Sequence, residues 1–289
     1  MINERDNVVI ITMDCCSYKT AAQAVTPNLD LLGMIHCADA YGTYTLPSHI
    51  STFAGYFPKI KKHNEETDYF CRNGHQFWRL KSARAKKADL VDIFLEGDTI
   101  IEGYQKVGFY TLGVGGVRWF RNRLLTSYFD EFLYYGGEDY KDVFAKRVQG
   151  EFALDNVEVV LEKLRLHDNW FLFANCHETH VPYDDGTIQH SKDQWDILDR
   201  AKILWGGKMN NNQVNVLNVN EFQVLQSMQI KALESLDKKI GYLFEKLPRP
   251  FAYVIMGDHG ENFGEDGLYG HGFPHSSVFE VPLIYGYIS

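Results

Sequence analysis

Residues 252–272 read AYVIMGDHGENFGEDGLYGHG. A β-rich apolar run ends at Gly257, and an acid and an imidazole, Asp258 and His259, follow at once. Such a run suits a central strand covered on both faces. A carboxylate beside an imidazole, on backbone freed by glycines, can grip a cation from one short segment. A turn rich in Gly, Asp and Asn, of the kind any α/β protein needs, would look the same. The rest of the chain has to separate the two.

Working outward, NVVIITM at 7–13 is a second continuous apolar run, and it too ends in an acid, Asp14. FYTLGVGG (109–116), WFLFANC (170–176) and VPLIYGYI (281–288) read as further strands, the last with a proline suited to a strand start or edge. Between them lie helical patterns. Residues 98–107 place Ile100, Ile101 and Tyr104 on one face, and 153–166 repeat Leu154, Val157, Val160, Leu161 and Leu164. Residues 221–247 carry Leu225, Met228, Ile230, Leu233, Leu236, Ile240 and Leu243 at helical spacing. Strands alternating with helices predict a mostly parallel sheet with helices on both faces. Ligands of such sheets bind beyond the carboxyl ends of the strands, where Asp14, Cys176 and Asp258 fall. Asp14 alone would also serve as a helix N-cap.

The 289 residues permit one large or two small domains. Neither 58–87, basic and ring-rich, nor 206–218, GGKMNNNQVNVLN, reads as a linker between independent domains. The basic run with Tyr69, Phe70, Phe77 and Trp78 reads as a solvated face or as a cap on the substrate side. A net charge of −9 argues against nucleic acid as a partner. No apolar run is long enough to span a membrane, and the polar start MINERDN lacks a secretory signal. Five cysteines, two of them adjacent at 15 and 16, do not make a disulfide framework. They point to thiols in a reducing, cytoplasmic setting. GVGGV at 113–117 lacks the spacing of a dinucleotide fingerprint.

The order of motifs is more specific than any one of them. VVIITMD, TPNLDLL (26–32), TYTLPSHISTFAGYFP (43–58), WFLFANCHETHVPY (170–183), the helix ALESLDKKIGYLFEKL (232–247), GDHGE and HGFPHSSVFEVPLIYG (271–286) follow one another along the chain. In this the sequence resembles the alkaline phosphatase superfamily, in its sulfatase-like branch, over nearly its whole length. The resemblance implies an α/β three-layer sandwich with a mostly parallel central sheet. It also implies a single catalytic domain over 1–289, with 58–100 as a cap or insertion.

It further implies roles for residues. Thr45 falls at the nucleophile position, at a helix start where backbone N–H groups favour an anion. Asp14, Asp258, His259 and the Thr45 oxygen would hold a divalent metal, Mn²⁺ or Zn²⁺, with Mg²⁺ or Ca²⁺ open. Ser48 and His49 would face the phosphoryl group or brace the turn. His180, of HETHVPY, would bind anionic oxygens or protonate the leaving group. His271 would lie across the phosphate or ligate a second metal, for which His177, His180 and His275 are other nitrogens. Threonine cannot become the formylglycine of sulfatases, and position 15 is Cys where many of them have a second metal-binding Asp. The expected activity is therefore hydrolysis of a small phosphate or phosphonate ester through a phosphothreonine. A sulfoesterase, a phosphotransferase or mutase, and a non-catalytic binding protein are the alternatives. Oligomeric state is open.

Overall fold

The structure, a computed structural model, describes residues 6–55, 78–80, 93–95, 98–121, 123–136, 143–207 and 216–289. Most of the expected cap at 58–100 and the centre of the loop at 206–218 lie outside the described residues.

The strands are β1 (Asn7–Met13), β2 (His36–Asp39), β3 (Trp78–Leu80), β4 (Ile93–Leu95), β5 (Tyr110–Gly115), β6 (Glu131–Tyr134), β7 (Trp170–Cys176), β8 (Phe251–Gly257), β9 (Asn262–Phe263), β10 (Tyr269–Gly270) and β11 (Glu280–Ile288). The helices are α1 (Tyr18–Ala21), α2 (Pro27–Leu32), α3 (Thr45–Ala54), α4 (Ile100–Lys106), α5 (Arg123–Thr126), α6 (Val157–Leu164), α7 (Lys192–Ala201), α8 (Val219–Lys246) and α9 (Ser276–Phe279).

Seven strands form one sheet in the order β2-β11-β8-β1-β7-β5-β6. From β8 to β6 every pairing is parallel, while β11 runs antiparallel to both β8 and β2. β1 lies at the centre and all seven of its residues are buried, as its uninterrupted apolar sequence requires. Its side chains alternate between two cores. Val9, Ile11 and Met13 meet Leu233, Leu236 and Ile240 of α8, while Val8 and Ile10 meet Leu46, Ile50 and Phe53 of α3. Helix, sheet and helix make the three expected layers. A third cluster, around Tyr183, Leu198, Leu225 and Tyr269, packs α7 against the first half of α8.

The predicted strands are all present. Pro282 sits where β11 has only β2 beside it, because the pairing with β8 begins at Leu283. The helix expected over 153–166 is a 3-10 turn, Ala153–Asn156, followed by α6. β2 and β6 are additions to the sequence reading. They are short and only partly buried; β2, HCAD, has no apolar run to betray it, and the apolar run of β6, Phe132 to Tyr134, is only three residues long.

Candidate active site

The register of β1 assembles the site. Met13 pairs with Cys176 on one side and with Gly257 on the other. The residues that follow, Asp14, His177 and Asp258, therefore leave the sheet at one level. Gly257 is needed there: a Cβ would stand 2.4 Å from the Cys16 carbonyl oxygen. That closeness lets the Cys15 N–H donate to Asp258 Oδ1 at 3.2 Å. Cys15 itself has φ +63°, a left-handed conformation uncommon outside glycine.

His259 Nε2 lies 3.4 Å from Asp14 Oδ1 and 3.6 Å from Asp258 Oδ2. Its Nδ1 donates to the Gly260 carbonyl at 3.0 Å, which leaves Nε2 as the nitrogen turned on the acids. Burial acts on all three. It pushes Asp258 up to about 8, helped by the charge of Asp14. It also opposes the ionised form of Asp14, but the hydrogen bond from His259 and the nearby imidazoles of His180, His259 and His271 outweigh it and hold that carboxyl well below the usual range. Burial would lower His259, yet the carboxylates of Asp258 and Asp14 raise it to about 9. Asp258 Oδ2 has no hydrogen-bond partner. Two buried acids, one orphaned oxygen and an imidazole that holds its proton only because the acids surround it are a donor set short of a cation. The residues fit a divalent metal.

Thr45 is the first residue of α3, after Tyr44 as an extended N-cap. Pro47 is tolerated in this first turn because its missing N–H would have no intrahelical partner. The buried Thr45 hydroxyl donates to Asp14 Oδ2 at 3.4 Å. Ser48 Oγ is buried without a partner, against Gly42, where a Cβ would come within 2.6 Å of it. His49 turns inward yet stays beside the acids, with Nδ1 3.7 Å from Asp258 Oδ2. Its Nδ1 donates to the Thr45 carbonyl at 2.7 Å, and its Nε2 accepts from Thr12 Oγ1 at 3.0 Å, which in turn accepts from Asn175 Nδ2 at 3.1 Å. The rings of Phe120 and Phe173 flank it edge-on. Burial brings it down to about 4, so it is neutral. Of its two expected roles the geometry matches bracing, because both ring nitrogens are committed inside the protein.

His271 reaches the cluster because Gly272 N–H donates to the Thr43 carbonyl at 2.8 Å, tying its loop to the approach of α3. Its Nδ1 is 3.4 Å from Cys15 Sγ and 3.5 Å from Glu261 Oε2. His180 donates from Nδ1 to the Val181 carbonyl at 2.8 Å. Burial lowers both imidazoles. A neutral His180 presents Nε2 as an acceptor, which suits it poorly to protonating a leaving group. His177 and His275 do not join. His177 is buried against Phe152, and His275 caps α9 by accepting from Ser277 N–H.

In the sequence Cys15 reads only as a missing acid, and Glu261 and Gln229 are passed over. Cys15 donates its thiol to Asp14 Oδ1 at 3.2 Å, and burial and the surrounding acids hold it protonated. Glu261 is buried, with neither oxygen hydrogen-bonded, and burial raises it to about 8. Gln229 of α8 donates to the carbonyls of Cys15 and Thr179, both at 2.9 Å. The first two had a signal: each is next to, or within three residues of, an acid that ends a strand.

The sulfatase family model matches residues 6–285. The chain belongs to the sulfatase family. Among curated proteins none matches it significantly. Three solved structures place this sulfatase-family chain in a wider group with the same fold. A 2-O glycosaminoglycan sulfatase, BT1596, is 15% identical with a TM-score of 0.61, and covers 98% of this chain and 64% of its own. The phosphonate monoester hydrolase of Silicibacter pomeroyi is 14% identical with a TM-score of 0.58, over 97% of this chain and 68% of its own. The C-terminal periplasmic domain of EptC from Escherichia coli, in complex with Zn, is 15% identical with a TM-score of 0.55, over 98% and 73%. Two further similar structures are longer still, and the chain covers 61% and 48% of them.

Proposed function

We propose that this chain cleaves a phosphate or phosphonate ester of a small molecule, with Thr45 as nucleophile. The observation that carries the reading is the Thr45 hydroxyl, first on α3, set against Asp14 beside the Asp258–His259 pair. Asp14, Asp258 and His259 would hold a divalent cation, with Thr45 beside it. When bound, it supplies positive charge that lowers the hydroxyl pKa and offsets the charge of the ester oxygens.

The chain's own groups do the rest. Asp14 Oδ2 takes the Thr45 hydrogen and so fixes which way the oxygen lone pairs point. The Thr45 and Leu46 N–H groups at the start of α3 and the unpaired Ser48 hydroxyl receive the anionic oxygens. His49 holds the turn through the Thr45 carbonyl. Thr45 Oγ1 loses its proton to solvent and bonds to phosphorus as the bond to the leaving oxygen breaks, and the leaving oxygen takes a proton from water. Water then splits the phosphothreonine. Positioning and charge provide most of the rate, as phosphoryl transfer requires. An alcohol in place of water would make the same site a transferase. Sulfate esters rank lower, because a threonine side chain cannot yield the aldehyde that sulfatases use.

Among the described residues no helix is long and apolar enough to cross a membrane. Cys15, Cys16, Cys37 and Cys176 are unbridged, so a reducing compartment is part of the proposal. The test is turnover of nitrophenyl phosphate, its diester, a phenylphosphonate ester and the sulfate, with Mn²⁺ or Zn²⁺ and with added alcohols. One phosphorus ester should be consumed, and Thr45→Ala should lower that rate by roughly a thousandfold or more. An unchanged rate in Thr45→Ala under saturating metal would sink the nucleophile assignment.

A further inference from the structure

The donor atoms of the cluster fall into two sets. One is Asp14, Cys15 and His259, the other Cys15, His180 and His271; within each, the donor atoms all lie within 4.8 Å of one another. Only Cys15 belongs to both. We propose that Cys15 is a metal ligand whose sulfur, with His180 and His271, holds a second cation beside the first, and that the thiolate makes this second position selective for zinc.

The distances support it. Ligands at about 2.3 Å for sulfur and 2.0–2.1 Å for nitrogen, arranged tetrahedrally, stand roughly 3.6 Å apart. Cys15 Sγ and His271 Nδ1 are 3.4 Å apart. The backbone is set for the purpose: Cys15 is held in its left-handed conformation by Asp258 from one side and Gln229 from the other. That aims the thiol into the cluster instead of into the core, where its neighbour Cys16 packs. His180 has Nδ1 occupied by the Val181 carbonyl, so Nε2 is left to ligate, and the hydrogen bond fixes that tautomer.

An independent observation points the same way. Glu261 is buried with both carboxylate oxygens unpaired, and Oε2 lies 3.5 Å from the His271 nitrogen. A buried acid left without donors is costly unless something cationic joins it. Three protein ligands also leave a position open for water or a substrate oxygen, as in catalytic zinc sites. Coordination would deprotonate the thiol outright and release its proton to solvent. A sulfur with two imidazoles suits zinc, whereas magnesium and calcium want oxygen ligands.

This goes beyond the phosphoryl-transfer reading and does not depend on which ester is the substrate. The experiment is a cobalt(II) titration of the full chain after metal removal, followed by absorbance. The native protein should take two equivalents and show a near-ultraviolet thiolate-to-cobalt band. Cys15→Ser should lose the band and one equivalent. Asp258→Asn should lose an equivalent but keep the band, and Cys37→Ser should change neither. Zinc should erase the band at about one added equivalent, and a large excess of magnesium should not. His271→Gln, checked like the others for native circular dichroism, should bind one equivalent and covers the case in which Cys15→Ser fails to fold. Binding of one equivalent with no thiolate band overturns the proposal and leaves the first site standing, as does a band that survives in Cys15→Ser. Binding of none overturns both readings. Erasure of the band by magnesium overturns the zinc selectivity.

Discussion

Three buried groups of the cluster are raised: burial brings Asp258 and Glu261 up to about 8, and the carboxylates of Asp258 and Asp14 overcome burial to bring His259 up to about 9. Each is raised above its unfolded value, so each favours the folded state most at low pH. That contribution is lost as pH rises through the folded pKa. Asp14 has the opposite sign, but its window lies below the ordinary carboxylate range. The buried imidazoles His49, His177, His180 and His271 are lowered and so pull the other way, but only below the ordinary histidine range. The metal-free protein should therefore lose thermal stability as pH rises from about 7 to about 9, and divalent metal should reverse the loss, more strongly at the alkaline end. Melting curves with and without chelator test this; a metal-free protein that grows more stable over that range would contradict it. His49 is a second residue with a definite expected effect. Replacing it with Ala empties a site among Phe53, Phe120 and Phe173 and frees the Thr45 carbonyl and the Thr12 hydroxyl. A loss of roughly 3 kcal/mol in denaturant unfolding is expected.

At the scale of elements, α8 does more than fill the core. Its apolar stripe was legible from spacing, and so were β1, β7 and β8, because strands buried on both faces carry unbroken apolar runs. The inward-facing polar residues of the helix were not. Gln229, Asp237 and Lys239 interrupt no pattern, and their partners lie far away in sequence. Asp237 caps α2 from outside: Oδ1 accepts from Leu29 N–H at 2.8 Å, and Oδ2 accepts from Asn28 Nδ2 at 2.7 Å. The α2 N-cap, Thr26, makes no side-chain cap bond of its own. Asp237→Ala should cost about 2 kcal/mol and unsettle α2, which amide hydrogen exchange at Leu29 would detect. The same distinction explains the site. Asp14, Thr45, Asp258 and His259 announce themselves by standing where strand or turn ends and by their order. Cys15 is less plain: it stands where many sulfatases carry an acid, yet a small thiol beside a buried strand also reads as core filling, and its left-handed backbone is visible only in the structure. Nor could spacing tell that His49 points inward, since both faces of the first turn of α3 are buried.

Across the whole molecule, one ion network ties three regions. Lys239 of α8 meets Asp155, in the turn before α6, at 2.6 Å and Glu178, after β7, at 3.0 Å. Glu178 is fully buried, and burial raises its pKa even though Lys239 opposes this. Lys239→Met should cost about 3 kcal/mol or more, because two acids lose their counter-charge in the interior. Unfolding in urea would measure it, and a neutral result would mean that one of the acids takes up a proton instead.

The central position of β1 carries a consequence for how the protein is made. This strand leaves the ribosome well before its two neighbours, β7 and β8, which come from much later in the chain. At about 5–20 residues per second, NVVIITM waits tens of seconds for β8 to be synthesised. Throughout that interval it is an apolar segment with two open edges. A nascent chain of this protein should thus be a client for chaperones up to the moment its last parallel strand emerges.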